Sequence, residues 1–255
     1  MKYFTGSVLL SAIVLASSPV LAADMAIKAN GNDNEPVEHW LAFTGIDANT
    51  GGSYFAFGGF QFAPNKGGLD ESGLRFWFLG GGGQYHYPLA DNVKNHGTFW
   101  ETDTLVGYSF ERDNGSLALY VGLNAQEHRL STPDPENPVQ GSQLGAKFQT
   151  IAWYNPTPTT LLYGDGQYSS AFGTYYVTGK YGQSFTGGKT LEDKQLYFGP
   201  QLTLFGNERY QEWRVGLHLT SLNLGKVDFE IGAGFEHNTD NGNGAYALFE
   251  LNTKF

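Results

Sequence analysis

The sequence predicts an all-β protein, a single antiparallel up-and-down β-barrel of about twelve strands that spans an outer membrane. From Trp40 onward, apolar and polar residues alternate with the period of two that is typical of strands. The chain is rich in Gly, Phe and Tyr (35, 19 and 15 residues), and only 16% of its residues are charged. No stretch approaches the ~20 apolar residues of a transmembrane helix. Composition alone leaves a secreted β-sandwich open as the alternative.

The first residues have the pattern of a secretory signal peptide. A basic start is followed by an apolar run from Val8 to Leu15, and small residues of cleavage-site type end at Ala22. This pattern predicts export through the inner membrane, and together with the predicted barrel it places the chain in the outer membrane. The chain is therefore divided into a signal peptide (residues 1–22), a polar N-terminal tail (23–38) and an outer-membrane β-barrel (39–255).

Charge and cysteine content exclude several classes of function. The absence of Cys rules out disulfides, thiol nucleophiles and cysteine-ligated metals. With 25 acidic and 15 basic residues the net charge is −10, which argues against nucleic acid and against a basic patch for anionic headgroups. Outer-membrane lipid is the partner that the composition favours.

Clusters of Gly, Asn, Asp and Pro divide the alternating pattern into about twelve segments, an even number that suits an up-and-down barrel. Ten strands are also possible, because residues 159–185 contain no unique turn and Pro200 interrupts its segment. The segments lie near residues 39–47, 53–63, 73–85, 97–111, 115–129, 141–154, 159–169, 172–185, 193–205, 209–221, 225–238 and 243–255.

The two faces of the predicted strands indicate their surroundings. In the segment 225–238, Val227 and Phe229 alternate with Asp228 and Glu230. Unpaired charges are costly in a dry core but tolerable in the polar lumen of a barrel, so the apolar face is expected to meet lipid. The closing strand GAYALFELNTKF ends in Phe255, similar to the terminal aromatic signal of outer-membrane barrels, and is expected to pair with the first strand.

Hydrolytic chemistry has little support in the sequence. His128 and Ser131 lie close together, but no acid accompanies them as a triad requires. The carboxylates of Glu101 and Asp103 share a strand face at a spacing that a glycosidase could use. Charges of a polar lumen, paired with Arg75, Lys147 or Arg214, are the favoured interpretation of such carboxylates.

Metal and cofactor sites are not predicted. The acidic loops lack the spacing of a calcium loop, and the glycine run at 80–83 is not followed by a helix that could cradle phosphate. This run is expected to let the sheet bend or to let a side chain from elsewhere pack inward. The sequence thus predicts no catalytic, cofactor or metal residues.

The predicted lumen is the candidate binding surface. Aromatic side chains flanked by polar groups suit neutral sugars, although such aromatics also form the girdles at membrane interfaces. The candidate glycan contacts are Arg75, Trp77, Glu101, Asp103, Tyr120, Lys147, Trp153 and Tyr197.

Several turns and strand ends resemble the cellulose biosynthesis protein BcsS family. They include Tyr-Val-Gly at 120–122, Gly-Ala-Lys at 145–147, Tyr-Ser-Ser-Ala-Phe at 168–172 and FGPQLTLFGNERYQEWRVGLHLTSL at 198–222. The resemblance covers roughly residues 40–255 and fits less well around 86–97 and 184–195. It implies a role in making or exporting cellulose, with cellulose and other cellulose-synthesis components as partners, and it carries no catalytic residues.

Together these observations predict a non-enzymatic outer-membrane barrel that assists the export, anchoring or assembly of β-1,4-glucan. A barrel of about twelve strands is narrow, so side chains are expected to fill most of its lumen. An accessory or anchoring role is therefore favoured over direct conduction. A general porin or surface protein is the alternative, and an outer-membrane lipid or glycan hydrolase is less favoured.

Overall fold

The structure, a computed structural model, describes residues 36–89, 93–186, 195–207 and 210–255. This part of the chain forms twelve strands and one short 3₁₀ helix, Gly68–Asp70, between the second and third strands. The predicted signal peptide and most of the tail lie outside the described residues. The strands are β1 (Trp40–Asn49), β2 (Tyr54–Phe62), β3 (Gly73–Pro88), β4 (Lys94–Arg112), β5 (Gly115–Leu130), β6 (Gly141–Thr157), β7 (Thr160–Ser169), β8 (Thr174–Ser184), β9 (Tyr197–Gly206), β10 (Gln211–Leu224), β11 (Val227–Asn238) and β12 (Gly242–Lys254).

Each strand pairs antiparallel with its neighbours in sequence, and β1 pairs with β12 to close the barrel. The backbones of Trp40 and Phe255 exchange two hydrogen bonds of 2.9 Å at this seam. Closure leaves no unpaired edge among the described strands. The predicted twelve-strand up-and-down barrel is confirmed. No helix in the described ranges is long and apolar enough to cross a bilayer.

The segment 159–185, whose turn the sequence leaves open, forms two strands joined by a tight turn. Between β7 and β8 the chain turns at Phe172 and Gly173, with φ values of 53° and 62°. Gly tolerates this left-handed conformation, whereas Phe172 adopts it while its ring packs edge-on against His128 at 4.9 Å. Tertiary packing therefore fixes a turn that local sequence does not specify.

Pro200 lies inside β9 and faces outward, and the ladder to β8 is interrupted beside it because proline has no N–H to donate. The β8–β9 pairing omits Tyr181 and Gly182, which face the region of Pro200. His218 Nε2 lies 2.9 Å from the carbonyl oxygen of Tyr181 at this gap. A lumen side chain thus supports the backbone where the ladder is broken.

The strands separate an apolar exterior from a buried interior. On β5, Leu119 and Leu123 face outward and are 48% and 54% exposed, whereas Tyr120 and Asn124 face inward and are 4% and 0% exposed. The same alternation runs around the barrel, and its exposed apolar band matches what lipid requires. We call the end of the barrel at Trp40 and Phe255 the terminal end, and the opposite end the distal end.

One side of the barrel is taller than the other. β3 to β6 have 16, 19, 16 and 17 residues, against 10 and 9 for β1 and β2. At the distal end β6 continues through 141–146 beyond its last pair with β7, Lys147↔Ser169. The extra length forms a projection that we call the distal wall, made of residues 84–88, 94–100, 124–130 and 141–146.

The glycine run at 80–83 has the role that the sequence predicts. A Cβ at Gly81 would lie 2.4 Å from the ring of Phe55, and one at Gly83 would lie 1.9 Å from the carbonyl oxygen of Tyr54. Gly81 therefore makes room for a lumen ring, and Gly83 allows close pairing of β2 and β3.

Candidate functional site

The structure places all the predicted lumen contacts inside the barrel. Each of these residues is 6% exposed or less and lies on the inner face, while contact with a glycan stays a prediction. They are Arg75 and Trp77 on β3, Glu101 and Asp103 on β4, Tyr120 on β5, Lys147 and Trp153 on β6, and Tyr197 on β9. Their partners decide whether this lumen can receive a ligand.

On the side of β1 to β5 the lumen is filled by aromatic rings. The ring of Trp77 lies 4.8 Å from that of Phe43 and 5.7 Å from that of Tyr120. Gln61 Nε2 donates to the Tyr120 hydroxyl at 2.7 Å. These rings contact one another and form a core, so Trp77 and Tyr120 offer no free face to a sugar.

Trp153 and Tyr197 are occupied in a similar way near the terminal end. Trp153 Nε1 donates to Asn155 Oδ1 at 2.5 Å, and Asn155 Nδ2 donates to the Tyr197 hydroxyl at 3.0 Å. The two rings lie 6.3 Å apart in an edge arrangement. The polar tips of both residues are thus satisfied within the protein.

The lumen also holds buried ion pairs. Lys147 Nζ donates to Asp103 Oδ2 at 2.5 Å, and Asn124 Nδ2 donates to Asp103 Oδ1 at 2.7 Å. Lys180 on β8 binds Glu230 on β11, past the two strands between them. Contacts between non-adjacent strands show that side chains bridge the lumen.

The largest charged cluster surrounds Arg214. Its Nη1 donates to Asp47 Oδ2 at 2.6 Å and its Nε donates to Glu212 Oε1 at 2.5 Å, while Glu236 Oε2 lies 3.4 Å from Nη2. The guanidinium also stacks over the ring of Tyr246 at 4.7 Å. One guanidinium thus contacts three carboxyl groups in the interior, where a charge without a partner would be costly.

The terminal mouth is covered by the connection between β2 and β3. Arg75 donates to the carbonyl oxygens of Leu69 at 2.9 Å and Glu71 at 2.6 Å, and to Asn65 Oδ1 at 3.0 Å. The amide of Leu69 donates to the carbonyl of Glu38 at 2.8 Å. Arg75 therefore holds a cap, and its acidic partner is Glu111 at 3.5 Å.

The distal mouth is covered by residues 131–140, which we call the distal lid. The Tyr87 hydroxyl donates to Asp134 Oδ2 at 3.1 Å and accepts from Asn95 Nδ2 at 2.9 Å and Asn137 Nδ2 at 3.1 Å. Val139 of the lid is only 3% exposed. In the described part of the chain, both mouths are covered and the interior between them is filled.

The candidate catalytic groups are not arranged for hydrolysis. His128 lies beside the Tyr85 hydroxyl at 3.4 Å and the Gln126 amide oxygen at 3.3 Å, and its ring stacks on Phe99 at 5.5 Å. Ser131 instead donates to Asn95 Oδ1 at 3.0 Å. Neither residue has the Ser–His–acid geometry of a triad.

Of the carboxylates that the sequence places on the lumen face, Asp103 and Glu230 form ion pairs. Asp103 binds Lys147, which was a predicted partner, whereas Glu230 binds Lys180, which was not. Within the described ranges, no group of three or more His, Asp or Glu residues could hold a metal ion. The lumen residues thus form ion pairs and hydrogen bonds with one another.

A polar aromatic site that the sequence reasoning missed lies outside the barrel, on the distal wall. Trp100 is 44% exposed and its Nε1 donates to Glu127 Oε2 at 2.9 Å. Arg129 Nε donates to Glu127 Oε1 at 2.6 Å. The alternation on β4 that puts Glu101 inside also puts Trp100 outside. On the neighbouring strand, Glu127 and Arg129 are the two charges on an otherwise apolar outward face, and they were the signal in the sequence.

Comparisons with known proteins give a family and a general barrel likeness. Residues 41–255 match the family model described as cellulose biosynthesis protein BcsS. No curated protein matches the chain in sequence. Among solved structures, the KdgM porin in complex with disordered oligogalacturonate shares 10% identity over 84% of this chain and 99% of that chain, with a TM-score of 0.44. The β domain of the Bordetella autotransporter BrkA shares 10% identity over 86% and 99%, with a TM-score of 0.43.

Proposed function

Because the chain belongs to the cellulose biosynthesis protein BcsS family, we propose that it is a non-enzymatic outer-membrane component that anchors or assembles β-1,4-glucan. The filled lumen is the observation that favours anchoring or assembly over passage of the polymer through the barrel. The exposed apolar band around the strands supports insertion in the outer membrane.

The orientation is part of the proposal. Three of the connections at the terminal end have two residues each, namely 113–114, 158–159 and 225–226. Short turns are typical of the periplasmic side of outer-membrane barrels. We therefore orient the terminal end toward the periplasm and the distal wall toward the outside of the cell.

Passage of a glucan chain through this lumen would require the buried ion pairs to break. Separating such pairs leaves uncompensated charge in the interior, at a cost of about 3–5 kcal/mol for each pair. The bonds of Arg214 and Lys180 would both be affected, because each connects strands of the wall that are separated by two others. An anchoring surface outside the lumen carries no such cost.

The test is a deletion strain in which extracellular cellulose and inner-membrane glucan synthesis are measured in parallel. We expect extracellular cellulose to fall, or to detach from cells, while synthesis persists, and complementation by the intact gene to restore it. If neither quantity changes, the proposed function is wrong and a general surface protein becomes the better description. If synthesis itself stops, a role restricted to anchoring or assembly is contradicted.

A further inference from the structure

We infer that the surface that contacts glucan lies on the outside of the distal wall and is centred on Trp100. This inference rests on the proposed function, and it names where on the chain the polymer would bind. The lumen aromatics are buried against each other, whereas Trp100 presents a ring that is 44% exposed. The apolar C–H face of a sugar ring needs an accessible aromatic face on which to stack, and Trp100 offers one.

The Trp100 ring is held in a fixed orientation. Its Nε1–H is bound by Glu127 Oε2 at 2.9 Å, and the other carboxylate oxygen is bound by Arg129 Nε at 2.6 Å. The Glu127 side chain is only 19% exposed, while that of Arg129 is 76% exposed. An aromatic group that is fixed before binding loses little conformational entropy when a ligand stacks on it.

The neighbours of Trp100 leave room for a flat ligand. In the β3–β4 register its partner is Gly82, which has no side chain to cover the indole, and a Cβ there would lie 3.5 Å from Trp100 Cβ. Thr98 and Thr102 occupy the same outward face of β4, and both are exposed. Hydroxyl groups beside an aromatic plane provide the hydrogen bonds and the apolar contact that a neutral sugar requires.

Local charge also favours a neutral polymer. Glu127 and Arg129 neutralise each other within the site. Trp213 gives a useful contrast, because it is 41% exposed but its ring packs against those of Phe235 at 5.5 Å and His237 at 5.7 Å. Trp213 thus packs against two neighbouring rings, whereas Trp100 lies beside Gly82 and the exposed Thr98 and Thr102.

The experiment measures binding of cellohexaose to the purified full-length mature protein in detergent micelles, with sedimentation on swollen cellulose as a second assay. We expect Trp100→Ala to weaken the cellohexaose Kd about tenfold, as loss of one aromatic stacking contact predicts. Trp100→Phe keeps a flat ring but loses the bond to Glu127, so its cellohexaose Kd should lie between those of the wild type and Trp100→Ala. The matched control Trp213→Ala should bind like the wild type, and each variant is first checked for folding by its heat-dependent mobility on a gel.

Each other outcome has a definite meaning. If folded Trp100→Ala protein binds cellohexaose like the wild type, the Trp100 surface is wrong even where the deletion strain loses anchored cellulose. If wild-type protein does not bind cellohexaose or cellulose, this inference fails, and the deletion phenotype decides the proposed function separately. If Trp100→Ala changes only the affinity for vesicles with phosphorylated lipids, Trp100 is a lipid anchor and the inference is overturned.

Discussion

Arg214 on β10 and Asp47 on β1 form an ion pair across two intervening strands, with Arg214 Nη1 donating to Asp47 Oδ2 at 2.6 Å. Both side chains are at most 6% exposed. The pair connects the first strand to the later part of the chain independently of the backbone ladder. Loss of this ion pair should therefore lower the free energy of unfolding of the whole barrel.

Replacing Arg214 with Met should lower the free energy of unfolding by about 3–5 kcal/mol, because the carboxylates of Asp47, Glu212 and Glu236 would be left without their cation. Urea unfolding of the protein inserted in phospholipid vesicles measures this change. The matched control is Arg129→Met, whose exposed ion pair should contribute about 1 kcal/mol or less. Equal losses for the two variants would contradict the structural role of the lumen cluster.

Two glycines of the run at 80–83 should respond differently to the same substitution. A methyl group at Gly83 would lie 1.9 Å from the carbonyl oxygen of Tyr54, whereas one at Gly80 would meet nothing within 4 Å. Gly83→Ala is expected to destabilise the barrel by about 2 kcal/mol or more, or to prevent insertion, and Gly80→Ala to change stability by less than about 0.5 kcal/mol. Folding yield into vesicles distinguishes them, and a similar yield for both would refute the predicted backbone clash.

The turn between β11 and β12 should make stability depend on pH. Burial raises the pKa of Asp240 to about 7, whereas the unfolded carboxyl keeps its ordinary value near 4. The folded state thus binds the Asp240 proton more tightly than the unfolded state does. The resulting stabilisation is fully present below the pKa of the unfolded carboxyl, near 4, and is lost as pH rises through the folded pKa of about 7. The change between pH 4 and pH 8 is up to about 4 kcal/mol.

Asp240→Asn should remove this contribution and reduce the slope of the stability profile between pH 4 and pH 8. Equilibrium unfolding at several pH values provides the measurement. Asp134→Asn, a change in the distal lid, serves as the comparison for an acidic loop residue. A profile that keeps its slope in Asp240→Asn would assign the pH dependence to other carboxylates.

The distal lid should loosen when the hydroxyl of Tyr87 is removed. That group makes hydrogen bonds to Asp134, Asn137 and Asn95, each contributing about 1 kcal/mol. In Tyr87→Phe we expect amide hydrogen exchange of residues 134–139 to accelerate at least about tenfold. Tyr108→Phe, on the outward face of β4, should leave the exchange of the lid unchanged. Equal exchange in wild type and Tyr87→Phe would show that other contacts hold the lid.

The regular part of the fold was predictable because alternation is a local property. The period of two located the strands within a few residues and put Arg75, Trp77 and Lys147 on the inner face. The first residue of β9 differs more, since β9 begins at Tyr197 instead of 193, and residues 193 and 194 lie outside the described ranges. Strand ends depend on turns and loops, which periodicity does not determine.

Contacts across the lumen were not predictable to the same degree. The pairing of Lys180 with Glu230 depends on the stagger of strands that are not neighbours, and a single sequence does not reveal that stagger. The loop at 131–140 was recognisable by its prolines, but its position over the mouth depends on Tyr87 and Asn95, which lie far away in sequence. Trp100 does not stand out in the sequence, because the alternation places it on the face that is expected to meet lipid.

The filled interior also bears on how much of this protein a cell can produce. Each additional open porin adds a route by which ions, antibiotics and bile salts enter the periplasm. In the described barrel, rings and ion pairs occupy the space that such solutes would cross, and both mouths are covered. Under the proposed function, copy number could therefore rise with the demand for polymer at the surface without adding such a route through the described barrel.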